Sequence, residues 1–221
     1  MSRRFVISLV CTLIAATSPS AGASEIKTER GVVAGTIRSS IPGIQPDGVG
    51  PIIVYLTPLD AAIQIAPREE VVTISQRDAT FKPTFCVVSV GQPVELPNDD
   101  RIFHSVFSSS RPNEFKFSPY PQGESRTVRF EHPGPVRLYC SIHEKMSATI
   151  FVTPTPLHAT TRLGGQFRIP AVPSGRYRLT LWASRLPGVS REVEVEGGHV
   201  TSADLEIGQA HPAPLVQRPP E

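Results

Sequence analysis

Apolar residues in this chain come in short runs, and Gly, Pro, Ser and Asp separate them. Residues 176–182 (R-Y-R-L-T-L-W) alternate, which puts Tyr177, Leu179 and Leu181 on one face of a half-buried strand. Residues 125–130 and 192–196 alternate in the same way. Residues 51–56 (P-I-I-V-Y-L) are apolar throughout, the pattern of a strand covered on both faces. Further strands are predicted over 32–37, 71–74, 81–83, 86–90, 94–96, 136–140, 148–152, 166–169 and 200–207. Turn signals stand at Gly91-Gln92, 132–135, Gly164-Gly165, 172–175 and Gly197-Gly198, and 39–50 and 108–123 read as loops. No segment has a clear helical period; residues 60–67 (D-A-A-I-Q-I-A-P) predict a short helical turn. The fold class expected from this pattern is all-β.

The two ends read differently. Arg3 and Arg4 precede an apolar run over 5–16, and Ala21-Gly22-Ala23 has the form of a cleavage site. Residues 1–23 therefore read as a signal peptide, with a mature chain starting near Ser24 and a periplasmic or secreted location. Val10 before Cys11 is not the small residue that lipid attachment favours. Residues 209–221 hold four prolines and no period, the composition of a disordered tail. No other apolar run is long enough for a membrane span, so no stable membrane insertion is expected. The formal net charge is +2, and the signal carries two arginines and no acid, so the remainder is neutral. With no basic stripe, nucleic acid is not an expected partner.

The chemistry concentrates in residues 139–146, Y-C-S-I-H-E-K-M, where Cys140, His143 and Met146 stand three apart. A strand alternates its side chains and cannot aim three such residues at one point, whereas a tight loop between strands can. Thiolate, imidazole and thioether are donors that select copper, and an electron-carrying copper site takes two imidazoles, a thiolate and a weak axial thioether. His104, after the run P-N-D-D-R-I-F, is the best candidate for the second imidazole. Met146 is the one methionine besides Met1. The competing readings are a buried Cys with a surface His and a gap-filling Met, or a disulfide between Cys86 and Cys140. His132, His158, His199 and His211 share no ligand spacing. The acid pairs Glu69-Glu70 and Asp99-Asp100 read as solvated turns. No hydrolase, zincin or phosphate-loop motif is present, so no enzyme is expected.

These residues also carry a resemblance. The stretch 81–152 resembles a cupredoxin of the plastocyanin/amicyanin blue-copper type. The matching pieces are F-K-P at 81–83, V-G-Q-P-V-E-L-P-N at 90–98, H-S-V-F at 104–107 and P-G-P-V-R-L-Y-C-S-I-H-E-K-M at 133–146. The resemblance implies a Greek-key β-sandwich holding one copper ion per chain. His104, Cys140 and His143 would be its strong ligands and Met146 its axial one. It also implies single-electron exchange with a redox partner protein, with His143 as the port. The alternatives are a periplasmic copper carrier or store, and a copper-free cupredoxin-fold binding module. Ser105 departs from the pattern, because blue copper proteins commonly have Asn after the first His ligand. Cys86 stands where an apolar strand residue is usual.

The whole chain is similar to secreted bacterial proteins of the methylamine-utilisation or plastocyanin-like kind. In these a cupredoxin is accompanied by a carboxypeptidase regulatory-like (transthyretin-like) β-sandwich. The run G-Q-F-R-I-P-A-V-P-S-G-R-Y-R-L-T-L-W at 165–182 suggests the latter, with Ala183 where similar proteins often have His. The strands over 32–37 and 51–56 have no place in a minimal cupredoxin. The expected division is a copper domain at 68–153 inserted into a second sandwich built from 30–60 and 155–208.

Overall fold

The computed structural model describes residues 29–208, and the expected signal peptide and tail lie outside the described residues. Two strands come first, β1 (Arg30–Ser39) and β2 (Ile52–Pro58). Next come β3 (Val72–Thr73), β4 (Ser75–Arg77), β5 (Thr80–Lys82), β6 (Phe85–Ser89), β7 (Pro93–Pro97) and β8 (Val106–Ser108). They are followed by β9 (Phe115–Lys116), β10 (Ser125–Arg129), β11 (Gly134–Cys140) and β12 (Ser147–Thr153). The last are β13 (His158–Thr161), β14 (Gln166–Pro173), β15 (Gly175–Ala183), β16 (Leu186–Val195), β17 (Val200–Ser202) and β18 (Leu205–Ile207). Among the described residues the one helical element is a 3-10 turn at Pro46–Gly48, so the all-β expectation holds.

Strand pairing runs in two separate sets. Among the described residues, strands β3 to β12 pair only among themselves, in sheets ordered β6-β12-β11-β8-β9, β10-β7-β3 and β4-β5. Strand β1 pairs with β14, β17 and β18, and β2 lies between β13 and β15 in the sheet β13-β2-β15-β16. Close approach between β1 and its partners needs a residue without a side chain. A Cβ on Gly35 would stand 2.3 Å from the Ala203 carbonyl oxygen.

Each set encloses its own core. Val33, Ile37, Ile52, Val54, Leu56, Tyr177, Leu179 and Leu181 are buried together, which places the alternating face of β15 inward as its period requires. Ile74, Phe81, Val94, Leu96, Tyr120, Leu138 and Ile150 form the other, with Cys140 and Met146 in it. Phe151 and Ile53 are buried but belong to neither. They follow from alternation: Ile150 and Val152 face one core, Val54 and Leu56 the other, so Phe151 and Ile53 point away from both. The Phe151 ring lies 4.3 Å from the Trp182 ring and 6.0 Å from Tyr55. These residues join the outer faces of β12, β2 and β15, which is why 51–56 is apolar throughout.

Several local expectations are corrected. Residues 60–67 form a turn rather than a helix. The Ile63 amide donates to the Asp60 carbonyl, and the Asp60 carboxylate takes the Arg176 amide and guanidinium, both at 2.9 Å. The loop at 108–123 contains β9, which pairs with β8. The strand at 200–207 is split, because the Asp204 carboxylate accepts the Thr36 amide at 2.8 Å where a backbone carbonyl would otherwise stand. The disulfide reading falls: Cys86 and Cys140 are both free thiols, and burial pushes the Cys86 thiol up to about 12.

Strand β13, not foreseen, begins at His158, whose Nδ1 is 3.4 Å from Thr153 Oγ1. Burial, with the Arg68 guanidinium nearby, lowers its pKa from 6.5 to about 4. The folded state therefore holds this ring neutral where the unfolded chain would protonate it. Its contribution is full above pH 6.5 and is lost as pH falls towards 4. The loss should reach about 3 kcal/mol, from roughly 1.4 kcal/mol per pH unit. Urea unfolding between pH 7 and 4.5 is expected to show a steeper loss for the wild type than for His158→Gln. Parallel curves would show that the ring does not contribute.

Candidate metal centre

Two chain regions build the site. Strand β11 ends at Cys140 and β12 begins at Ser147, with Tyr139 and Ser147 opposite one another. The loop between them is closed by the Met146 amide on the His143 carbonyl (3.0 Å) and the Cys140 amide on the Met146 carbonyl (3.3 Å). The three-residue spacing thus sits in a tight strand-loop-strand, as its chemistry demands. His104 lies just before β8 and is anchored by a two-way backbone bridge to Tyr120. The two regions are tied by the Ser141 amide donating to the Ser105 carbonyl at 3.0 Å. The Ser105 hydroxyl turns away and donates to the Phe117 carbonyl at 2.9 Å. The tie between the two regions is therefore made by backbone and not by the Ser105 side chain.

Three predicted donors come together. Cys140 Sγ is 3.7 Å from Nδ1 of both His104 and His143, and the two Nδ1 atoms are 3.2 Å apart. A point equidistant from the corners of that triangle lies about 2.1 Å from each. Divalent-metal bonds run at about 2.0–2.1 Å to imidazole and about 2.3 Å to thiolate, as in zinc sites. The donor set and the spacing both fit a metal ion. Among the described residues no other set of three or more His, Cys, Asp or Glu side chains converges in this way. His104 is fully buried, Cys140 is 4% exposed, and His143 is half-buried at the rim. Met146, 1% exposed, lies in the same apolar cluster as Cys140. Ile142, Ile102 and Phe103, close in the chain to these donor side chains, are exposed.

Asp100 is a correction to the solvated-turn reading. Its side chain is only 13% exposed, and its Oδ2 is 2.8 Å from His104 Nε2. Burial alone would raise its pKa, but the Ala79 amide, the His104 ring and the Asp78 amide outweigh that and hold it below the ordinary carboxylate value. The signal was present as Asp four residues before His, but an irregular segment has no period that would place the two together. Asp99 does face the surface, where it meets Ser75 and Arg77, and Glu69 meets Arg129. His132 and His199 are exposed, His158 is remote from the cluster, and His211 lies outside the described residues.

Comparison with known proteins gives partial matches. Residues 158–203 match the family model described as polysaccharide lyase family 4, domain II. That description differs from the carboxypeptidase regulatory-like resemblance of the same region. No curated protein matches this chain. Similar solved structures include a purple cupredoxin from Nitrosopumilus maritimus, at 22% identity and TM-score 0.34, over 37% of this chain and 99% of that one. Amicyanin from Paracoccus versutus is 14% identical with TM-score 0.35, over 45% of this chain and 98% of that one. A copper-containing nitrite reductase from Thermus scotoductus is 25% identical with TM-score 0.37, over 44% of this chain and 25% of that one.

Proposed function

We propose that this protein holds one copper ion through His104, Cys140 and His143, with Met146 as a weak axial donor, and passes single electrons between partner proteins. The observation that carries the reading is the triangle of one sulfur and two nitrogens, with sides that fit metal–ligand bond lengths. Copper in such a set can accept an electron and give it up again. The chain's own contribution is a donor set assembled before the ion arrives. His104 is held by the Tyr120 bridge and Cys140 by the end of β11, and the Ser105 carbonyl locks the two regions together. His143 at the rim is the natural route between the centre and a partner. On this reading the protein is not an enzyme and works in the periplasm or outside the cell. We further propose that 68–153 is a copper domain inserted into a second sandwich formed by 30–60 and 155–208. The separate strand pairing and the two cores support that division.

The test is a pair of rates on one Cu(II)-loaded sample. Loss of copper to a chelator should be slow and electron self-exchange rapid and reversible. Rapid loss with slow self-exchange would favour a copper carrier instead. No coloured complex with reduced, folded protein would sink the copper reading altogether.

A further inference from the structure

The buried His104 ring has two nitrogens with different neighbours. Nδ1 faces Cys140 and His143, and Nε2 faces Asp100 Oδ2 at 2.8 Å. That oxygen also accepts the Ala79 amide at 2.9 Å, while Oδ1 accepts the Asp78 amide at 2.7 Å. A carboxylate oxygen already taking an amide proton is an acceptor, so the ring nitrogen beside it must be the donor.

The support for Asp100 is itself built. Asp78 and Ala79 are the two turn residues between β4 and β5, and both have positive φ, 57° and 49°. Alanine adopts that conformation at a cost. The pair of left-handed residues brings two successive amides onto one carboxylate. From the other side, the Asp100 amide donates to Asn98 Oδ1 at 2.9 Å, and Asn98 Nδ2 donates to the Ile102 and Tyr120 carbonyls. Asp100 is thus clamped by a hairpin more than 20 residues upstream and by the segment that carries His104 itself.

We propose that Asp100 is the positioning residue of this centre, holding His104 in the Nε2–H tautomer with the Nδ1 lone pair turned to the donor cluster. Its part-buried negative charge then favours the more highly charged state of a metal bound there, a second half that rests on the copper reading. Outer partners of ligand imidazoles fix the tautomer and raise ligand basicity, and their loss costs about 10–100-fold in metal affinity. The β4–β5 hairpin, remote in sequence from every ligand, becomes part of the site through this one carboxylate.

The test has a metal-free arm and a copper arm. Nitrogen NMR of the folded, metal-free wild type should show His104 protonated at Nε2 alone, and Asp100→Ala should leave a mixture of tautomers. A wild-type ring protonated at Nδ1, or an unchanged tautomer in Asp100→Ala, overturns the positioning role whether or not copper binds. In the copper arm, both Asp100→Ala and the near-isosteric Asp100→Asn should lower the ratio of Cu(II) to Cu(I) affinity about tenfold. That is a rise of about 59 mV for a one-electron couple. An unchanged ratio in copper-loaded variants overturns the charge effect. If Asp100→Ala does not fold, Asp100→Asn supplies the copper arm, because it removes the same charge. A wild type that binds no copper sinks the copper reading and the charge effect with it, and the tautomer still decides the positioning role.

Discussion

Cys140→Ser should abolish the intense visible absorption of the Cu(II)-loaded protein and weaken copper binding by more than about a hundredfold. The lower bound is the upper end of what losing an outer-shell partner costs, and a strong ligand is worth more. Cys140 supplies the one sulfur in the triangle, and thiolate-to-copper charge transfer needs that sulfur. A serine hydroxyl in its place stays protonated and is a harder donor, so it supplies neither the band nor the affinity. The fold should survive, because the position is a strand end whose backbone bonds to Met146 and neighbouring residues do not involve the side chain. An absorption spectrum and a chelator competition on the two proteins decide the matter. A band retained in Cys140→Ser would remove the thiolate from the site. Circular dichroism matching the wild type would show that lost colour is not lost fold.

Phe151→Ala should be the most damaging single change outside the two cores, at about 3–5 kcal/mol. The ring is 3% exposed and sits between Trp182 and Tyr55, so its removal leaves a cavity where two sheets meet back to back. Aromatic pairs of this kind add about 0.5–1.5 kcal/mol beyond the area they bury. The expected calorimetric result is qualitative as well as quantitative. The wild type should unfold in one transition, and the variant in two. Copper should raise only one of the two, because a ligand stabilises the unit that binds it. The visible spectrum should be unchanged, since Phe151 lies on the face of β12 opposite to Ile150 and the core that contains Cys140 and Met146. A single transition at the wild-type midpoint would show that the rings do not couple two units. It would count against the proposed division into domains.

The strands and the loop that carries Cys140, His143 and Met146 were legible for physical reasons that act locally. Alternation in 176–182 reports one buried face directly, and three-residue spacing of a thiolate, an imidazole and a thioether between two strands has few other uses. What was not legible depends on partners far away in sequence or on backbone alone. Residues 51–56 announced a strand covered on both faces, but nothing in them names Phe151 as the cover. The tie between the two regions that meet at the candidate site is a carbonyl of Ser105, and any residue has a carbonyl. Asp100 looked like half of an exposed acid pair because its amide donors come from a turn in a different hairpin. Strand β13, H-A-T-T, is an edge strand with polar residues and so lacks the apolar signature that marked its neighbour β2.

The order of pairing along the chain also sets an order in time. Strands β1 and β2 are made first, yet every strand partner they have among the described residues lies after residue 153. Among the described residues, strands β3 to β12 find all their strand partners within their own stretch. In a chain emerging from its N-terminus, the first-made strands lack these partners until the middle stretch has been made, and the middle is free to close on itself meanwhile. Once closed, the middle is no longer a flexible span of about a hundred residues whose ends must find each other against chain entropy. It becomes a rigid clasp that delivers Tyr55 and His158 to opposite positions in one ladder. Early arrest of the middle stretch would therefore leave two adhesive strands, R-G-V-V-A-G-T-I-R-S and I-I-V-Y-L-T-P, with open edges. Aggregation of such a chain would begin at its first strands, although the fault lay elsewhere.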